Sequence, residues 1–121
     1  MRLLTEHIVN PVNDRIRIQV LDEPGSGGAY HCYLLSFDRP EGEQHYPIDF
    51  QNGPIAEVGV NGITQEALLA VIIDRLECFQ RGPFASAAND RALDHCRFAL
   101  NALHERTLER MARGVEGQTK A

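Results

Sequence analysis

One stretch limits what this chain can fold into more than any other: Ile63 to Gly117, with helical periodicity broken once at Gly82-Pro83. The spacing predicts a helix over about Thr64 to Arg81 and a longer one from near Ser86 to about Arg113. Leu68, Ile72, Leu76 and Phe79 recur at helical steps in the first. Leu93, Cys96, Leu100, Leu103, Thr107 and Met111 alternate threes and fours in the second. Each helix therefore carries an apolar stripe, and two stripes joined by a short turn can bury against each other. Thr64 is a good N-cap, with Glu66 in the first turn. Gly82 ends the first helix and Pro83 prevents its resumption. Ser86 can cap the second helix, and Gly114 ends it.

Upstream, the period changes from helical to alternating. Ile16, Ile18 and Val20 point one way from a strand over Arg15 to Val20, and Arg15, Arg17 and Gln19 the other. A loop with Pro24, Gly25, Gly27 and Gly28 leads to a second strand over Tyr30 to Phe37. Pro40, Glu41 and Gly42 turn into a third near His45 to Phe50, which Asn52-Gly53-Pro54 ends. Short connections imply an antiparallel meander. The expected fold is α+β: a small antiparallel three-stranded sheet (about 12–52) packed with a C-terminal two-helix hairpin (63–114). The expectation is a single domain over 1–121, with a tail at 115–121.

Composition narrows the function. The chain has 121 residues and a net charge of −5, which argues against a general binder of polymeric nucleic acid. No apolar run is long enough to span a bilayer, and Met1 to Asn10 lacks the apolar core of a signal peptide. Cys32, Cys78 and Cys96 are an odd number without CxxC spacing, as expected of reduced thiols in a cytoplasmic protein. His7, His31, His45, His95 and His104 show no metal spacing, so neither metal nor cofactor is expected.

Few residues stand out chemically. Arg106, Arg110 and Arg113 follow at steps of four and three and share one face of the second helix. Glu109 can pair with Arg106 or Arg113, which would make the row ordinary surface. The functional alternative is a cluster gripping phosphates, since guanidinium forks bind phosphate oxygens bidentately. Phe79, at the end of the first helix, is either core or a platform for a base. Asn89, on the other side of the break, is either a cap or a reader of a base edge. The Gly25 to Gly28 loop lacks a P-loop lysine and opens no helix, so it reads as a strand connection. No Ser/His/Asp or Cys/His grouping is apparent, and catalysis has weak support.

Several segments together resemble a known family. Asn61-Gly62, then EALLAVIIDRLECFQRGPF (Glu66 to Phe84) and ALHERTLERMARGVEG (Ala102 to Gly117), are similar to the Thoeris anti-defence sponge proteins of bacteriophages. DEPGSGGAYHCY (Asp22 to Tyr33) and IDFQNGPI (Ile48 to Ile55) extend the resemblance over nearly the whole chain. It implies a non-enzymatic protein, acting in the cytoplasm of the infected host. Such a protein sequesters cyclic ADP-ribose-type signals, glycocyclic ADP-ribose among them, made by TIR-domain proteins. It also implies a homodimer, with a hexamer as a trimer of dimers, and in some members binding of cyclic oligonucleotides. Carried over by motif, Phe79 would stack on adenine and Asn89 would hydrogen-bond nearby. Arg106 and Arg110 would contact phosphates or riboses, with Thr107 and Arg113 as further candidates. The chain departs from the pattern where an Arg-Glu pair precedes the motif asparagine. Here those positions are Ala87 and Ala88, and Arg91 would have to substitute in any separate cyclic-trinucleotide site. The competing function is an enzyme that degrades the same signal; the competing ligand is a cyclic oligonucleotide of CBASS immunity.

Overall fold

A computed structural model describes residues 1–114; the tail expected at 115–121 lies outside the described residues. The chain divides into two compact units, Met1–Ile63 and a second that begins at Thr64.

The first unit is built on an antiparallel meander with the order β1-β2-β3-β4. The strands are β1 (Arg2–Leu4), β2 (Arg17–Val20), β3 (Cys32–Arg39) and β4 (Gly42–Asp49). The sheet thus has four strands, where three were expected. β1 has three residues, too few to show an alternating pattern, and it forms by pairing Arg2, Leu3 and Leu4 with Val20, Gln19 and Ile18. Between β1 and β2, helix α1 (Pro11–Asp14) starts where the Asn10 side chain accepts from Asn13 N, with Pro11 in the first turn.

Register sorts the two faces of the sheet. Ile18, Leu35 and Tyr46 form one cross-strand row and Val20, Tyr33 and Ile48 the next, on the same apolar face. Arg17, Ser36 and His45 form a row on the other face. Val20 and Ser36 are the most enclosed side chains, each 1% exposed. β4 is an edge strand, and Pro47 sits on it, where a missing N–H is tolerated. Beyond β4, helix α2 (Ile55–Val58) turns the chain back. Ile63 N then donates to Asp49 O (2.8 Å) and Gln51 N to Ile63 O (2.9 Å), a single parallel bridge along that edge.

The second unit is the helical hairpin, α3 (Gln65–Gln80) and α4 (Ala87–Ala112). Both N-caps are as expected: Thr64 Oγ1 accepts from Ala67 N, and Ser86 Oγ from Asn89 N. Arg81 and Arg113 are the C-caps, and Gly114 follows with φ 73°, the left-handed conformation that ends helices. Gln80 clamps the turn from both sides. Its Nε2 donates to Ser86 O (3.0 Å) and its Oε1 accepts from Ser86 N (3.0 Å).

The seam between the helices differs from the expected stripes. On α4 the residues withdrawn from solvent are Asn89, Leu93, Cys96, Leu100, Leu103, Thr107 and Arg110, an unbroken alternation of fours and threes. The alternation ends at Arg110, 6% exposed, rather than Met111, 60% exposed, and its last two members lie beyond the stretch that α3 covers. On α3 the seam runs through Glu66, Leu69, Ile73, Leu76 and Gln80, with Ile73 the most buried. Leu68, Ile72 and Phe79 lie on a flank of α3, about 100–140° from Ile73 at 100° per residue. α3 is apolar on more than one side, so hydrophobicity alone marks no unique face. Glu77 Oε1 accepts from Arg97 (2.6 Å) and ties the helices together.

Candidate functional site

The residues nominated from sequence all fall in the hairpin unit, and they form two groups. Phe79 and Asn89 stand on either side of the turn. The Asn89 backbone is capped by Ser86, and its Nδ2 donates to Phe84 O (3.3 Å), so the amide also holds the turn in shape. Phe79 is half-buried on the flank of α3, with the Arg75 guanidinium 5.0 Å from the ring centroid.

Arg106, Thr107, Arg110 and Arg113 make the second group, toward the other end of α4. Thr107 is half-buried and Arg110 is buried, and both lie on α4 beyond the stretch that the shorter α3 can cover. Arg106 is exposed and makes no ion pair with a described residue. Arg113 ion-pairs with Glu109, which settles Glu109 on that partner rather than Arg106. The three arginines do lie on one side of α4, but they are not one exposed row. Arg110 is buried, whereas Arg106 and Arg113 are exposed.

Distance separates the two groups. Asn89 and Arg106 are seventeen residues apart in one continuous helix, hence about 26 Å along its axis at ~1.5 Å per residue. A dinucleotide-sized ligand cannot touch both ends of one hairpin. The direction of the flanks adds a constraint. In an antiparallel helix pair, the flank of α3 bearing Phe79 and the flank of α4 bearing Arg106 face the same side of the hairpin. Between them on that side, α4 presents Ala88, Ala92, Ala99 and Ala102, with the exposed His95 among them.

The first unit holds two features that the sequence did not reveal. One is an open groove of about 460 Å³ lined by Pro11, Val12, Arg15, Ile16, Phe37 and Asp38, none of them a nominated residue. The other is a Ser/His/Glu grouping assembled by strand register. Ser36 Oγ lies 3.1 Å from His45 Nδ1, and Glu43 Oε1 lies 3.7 Å from the same nitrogen. Both partners meet one ring nitrogen, so the imidazole cannot relay a proton between them, and Ser36 is 1% exposed. Glu43 is also bound by Arg17 (2.7 Å), which raises the guanidinium pKa. This cluster is a polar clamp across β2, β3 and β4. Among the described residues, no group of three or more His, Cys, Asp or Glu side chains is placed to hold a metal ion.

The glycine loop is engaged by its own chain. It forms a 3-10 turn at Ser26–Gly28, Ser26 N donates to Asn52 Oδ1 (3.2 Å), and His31 Nε2 donates to Ser26 O (3.0 Å). Asp22 accepts from His31 N and Cys32 N, and these bonds hold its carboxyl below the usual carboxylate range. A hydrogen bond to Asp49, with burial, pushes the Cys32 thiol up. That loop is a structural connection, as its sequence implied.

The architecture defines a class: an α+β chain whose C-terminal part is a capped, heptad-seamed helical hairpin. Residues 44–108, more than half of the chain, match the family described as Acb2/Tad1, hairpin domain. The chain belongs to that family. It is also 44% identical over 70 residues to a protein of Bacillus phage SBSphiJ7 named Thoeris anti-defense 1. The alignment covers 58% of this chain and 49% of that protein, so it spans about half the length of the relative. No helix among the described residues is long and apolar enough to cross a membrane.

Proposed function

We propose that this chain is a phage anti-defence protein that sequesters cyclic ADP-ribose-type signals made by TIR-domain proteins, glycocyclic ADP-ribose among them. It holds them uncleaved and so blocks Thoeris immunity. The observation that carries this reading is kinship with a phage protein named for anti-Thoeris defence. The geometry supports it in three ways. Phe79 offers an aromatic face at the hairpin turn. Asn89 commits its Nδ2 to the turn, and its Oδ1 remains to accept from an adenine amino group. Arg106 is an exposed guanidinium without an ion-pair partner among the described residues, ready for a phosphate.

The separation of the two groups supports a homodimer in which each site is shared. When two hairpins pack antiparallel on their alanine-bearing sides, Phe79 and Asn89 of one copy meet Arg106 of the other. Ile72 (45%), on the same flank as Phe79, supplies apolar surface for that pairing, and Val71 (64%) and Phe98 (70%), on the far sides of the two helices, supply it for a trimer of dimers. Arg110 and Thr107, withdrawn from solvent, would back the same helix end, and Arg113, paired with Glu109, borders it.

The test is to incubate the protein with glycocyclic ADP-ribose, remove free ligand, denature and analyse what is released by mass spectrometry. Recovery of intact ligand, about one equivalent per site, is expected. A hydrolysed product would establish the competing enzyme, and recovery of nothing would reject the ligand class. Parallel incubation with cyclic oligonucleotides tests the CBASS alternative.

A further inference from the structure

We infer that Arg75, through Phe79, is a positioning residue for nucleotide binding; this rests on the reading of Phe79 as the base platform. The two residues are one helical turn apart on the flank of α3, and the Arg75 guanidinium lies 5.0 Å from the Phe79 ring centroid. Arg75 is exposed and makes no ion pair with a described residue, so no carboxylate among them competes with the ring for the guanidinium. The contrast is with Arg39, which lies 5.2 Å from the Phe37 ring but is also 3.9 Å from Glu41.

The consequence for binding is geometric. A half-buried phenylalanine on a helix flank has more than one rotamer open to it, and a ligand that stacks on it must first select one. A guanidinium held over one ring face favours a single orientation and leaves the other face for the base. The cation also draws electron density from the ring, which favours an electron-rich purine on the free face. Arg75 thus prepares the platform without itself touching the base.

A double-mutant cycle tests this, with glycocyclic ADP-ribose as the probe and calorimetry as the readout. Arg75→Ala in the full chain should weaken binding about three- to tenfold, and Arg75→Lys, which keeps a cation over the ring, should recover most of it. In a Phe79→Ala background, Arg75→Ala should have no further effect. Circular dichroism should show native helix content for every variant, since Arg75 is exposed. An equal loss from Arg75→Ala with and without Phe79 would mean that Arg75 meets the ligand's charge directly, and would overturn the proposal. Unchanged affinity of Arg75→Ala alone would overturn it as well. If Phe79→Ala itself leaves binding intact, the platform reading fails and this proposal with it, an outcome distinct from the other two.

Discussion

Asn61-Gly62 stands at the point where the chain leaves the first unit, and its two residues act by different means. The Asn61 side chain accepts from Asn52 N (2.8 Å) and donates to Asn52 O (2.7 Å), while Asn61 N donates to Gln51 Oε1 (2.9 Å). Gly62 allows the close approach that this clamp requires. A Cβ there would sit 2.4 Å from Phe50 C and 2.6 Å from Asp49 O, both rigid backbone. Gly62→Ala should therefore break the Phe50–Ile63 bridge and cost about 1–3 kcal/mol, the range for overpacking. Thermal denaturation checks this, and an unchanged Tm would mean that the backbones part without penalty. Asp22 shows a second kind of residue-level control. Its carboxyl has a folded-state pKa below the ordinary 3.8, because it accepts two backbone N–H bonds. A depressed carboxylate stabilises the fold above its unfolded pKa and ceases to do so as pH falls through its folded value. Asp22→Asn should lower Tm near neutral pH, and the deficit should shrink below pH 3.8. A deficit that stays constant across that range would assign the loss to shape rather than charge.

Among the elements, what was legible in the sequence depended on how local the signal is. Both hairpin helices begin and end where their caps said they would, because a side-chain oxygen three residues before a backbone N–H is a local device. β2, β3 and β4 were legible from alternation and from the Pro40-Glu41 turn, with ends displaced by up to three residues. β1 was not, since only its pairing with β2 defines it. The seam of α3 was not either. Leu68, Leu69, Val71, Ile72 and Ile73 are all apolar, and the choice among them is made by where α4 lies. The same ambiguity made Met111 look like the continuation of the α4 stripe, whereas the heptad step from Thr107 reaches Arg110. Phe79 and the arginines stand out in the sequence by aromatic and cationic character and Asn89 by its place beside the break, Thr107 only through the family resemblance. The distance between Asn89 and Arg106 follows from the single continuous α4 that carries both. The seam assignment predicts a difference between neighbours. Ile73→Ala should cost about 2–5 kcal/mol, as for truncation of a buried aliphatic side chain. Ile72→Ala, at a site 45% exposed, should cost less than half of that. Equal losses in chemical denaturation would mean that the seam does not run through Ile73.

At the scale of the whole molecule, one copy leaves much of its apolar surface uncovered. Among the described residues, Val20, Ile73 and Leu93 are the buried hydrophobic side chains, and several larger ones stand in solvent. In the proposed homodimer a second copy would cover part of that surface, and in a two-fold dimer each contact occurs twice. The proposed site inherits that symmetry: two sites per dimer, each with Phe79 from one copy and Arg106 from the other. Complementation between damaged copies tests this arrangement directly. Phe79→Ala and Arg106→Ala homodimers should each bind glycocyclic ADP-ribose about tenfold or more weakly, since loss of a stacking or charge-assisted contact is worth ~1.4 kcal/mol or more. When the two variants are co-expressed and pair at random, half of the dimers contain one of each. Every such mixed dimer has one site with both side chains intact and one with neither. About a quarter of all sites should therefore regain wild-type affinity, a fraction fixed by two-fold symmetry alone. Calorimetry would read it as a tight phase of about that stoichiometry, absent from either variant by itself. If no tight phase emerges on mixing, Phe79 and Arg106 do not share a site across two copies. The nucleotide must then be held at one end of a single hairpin, either at the turn beside Asn89 or along the arginines of α4.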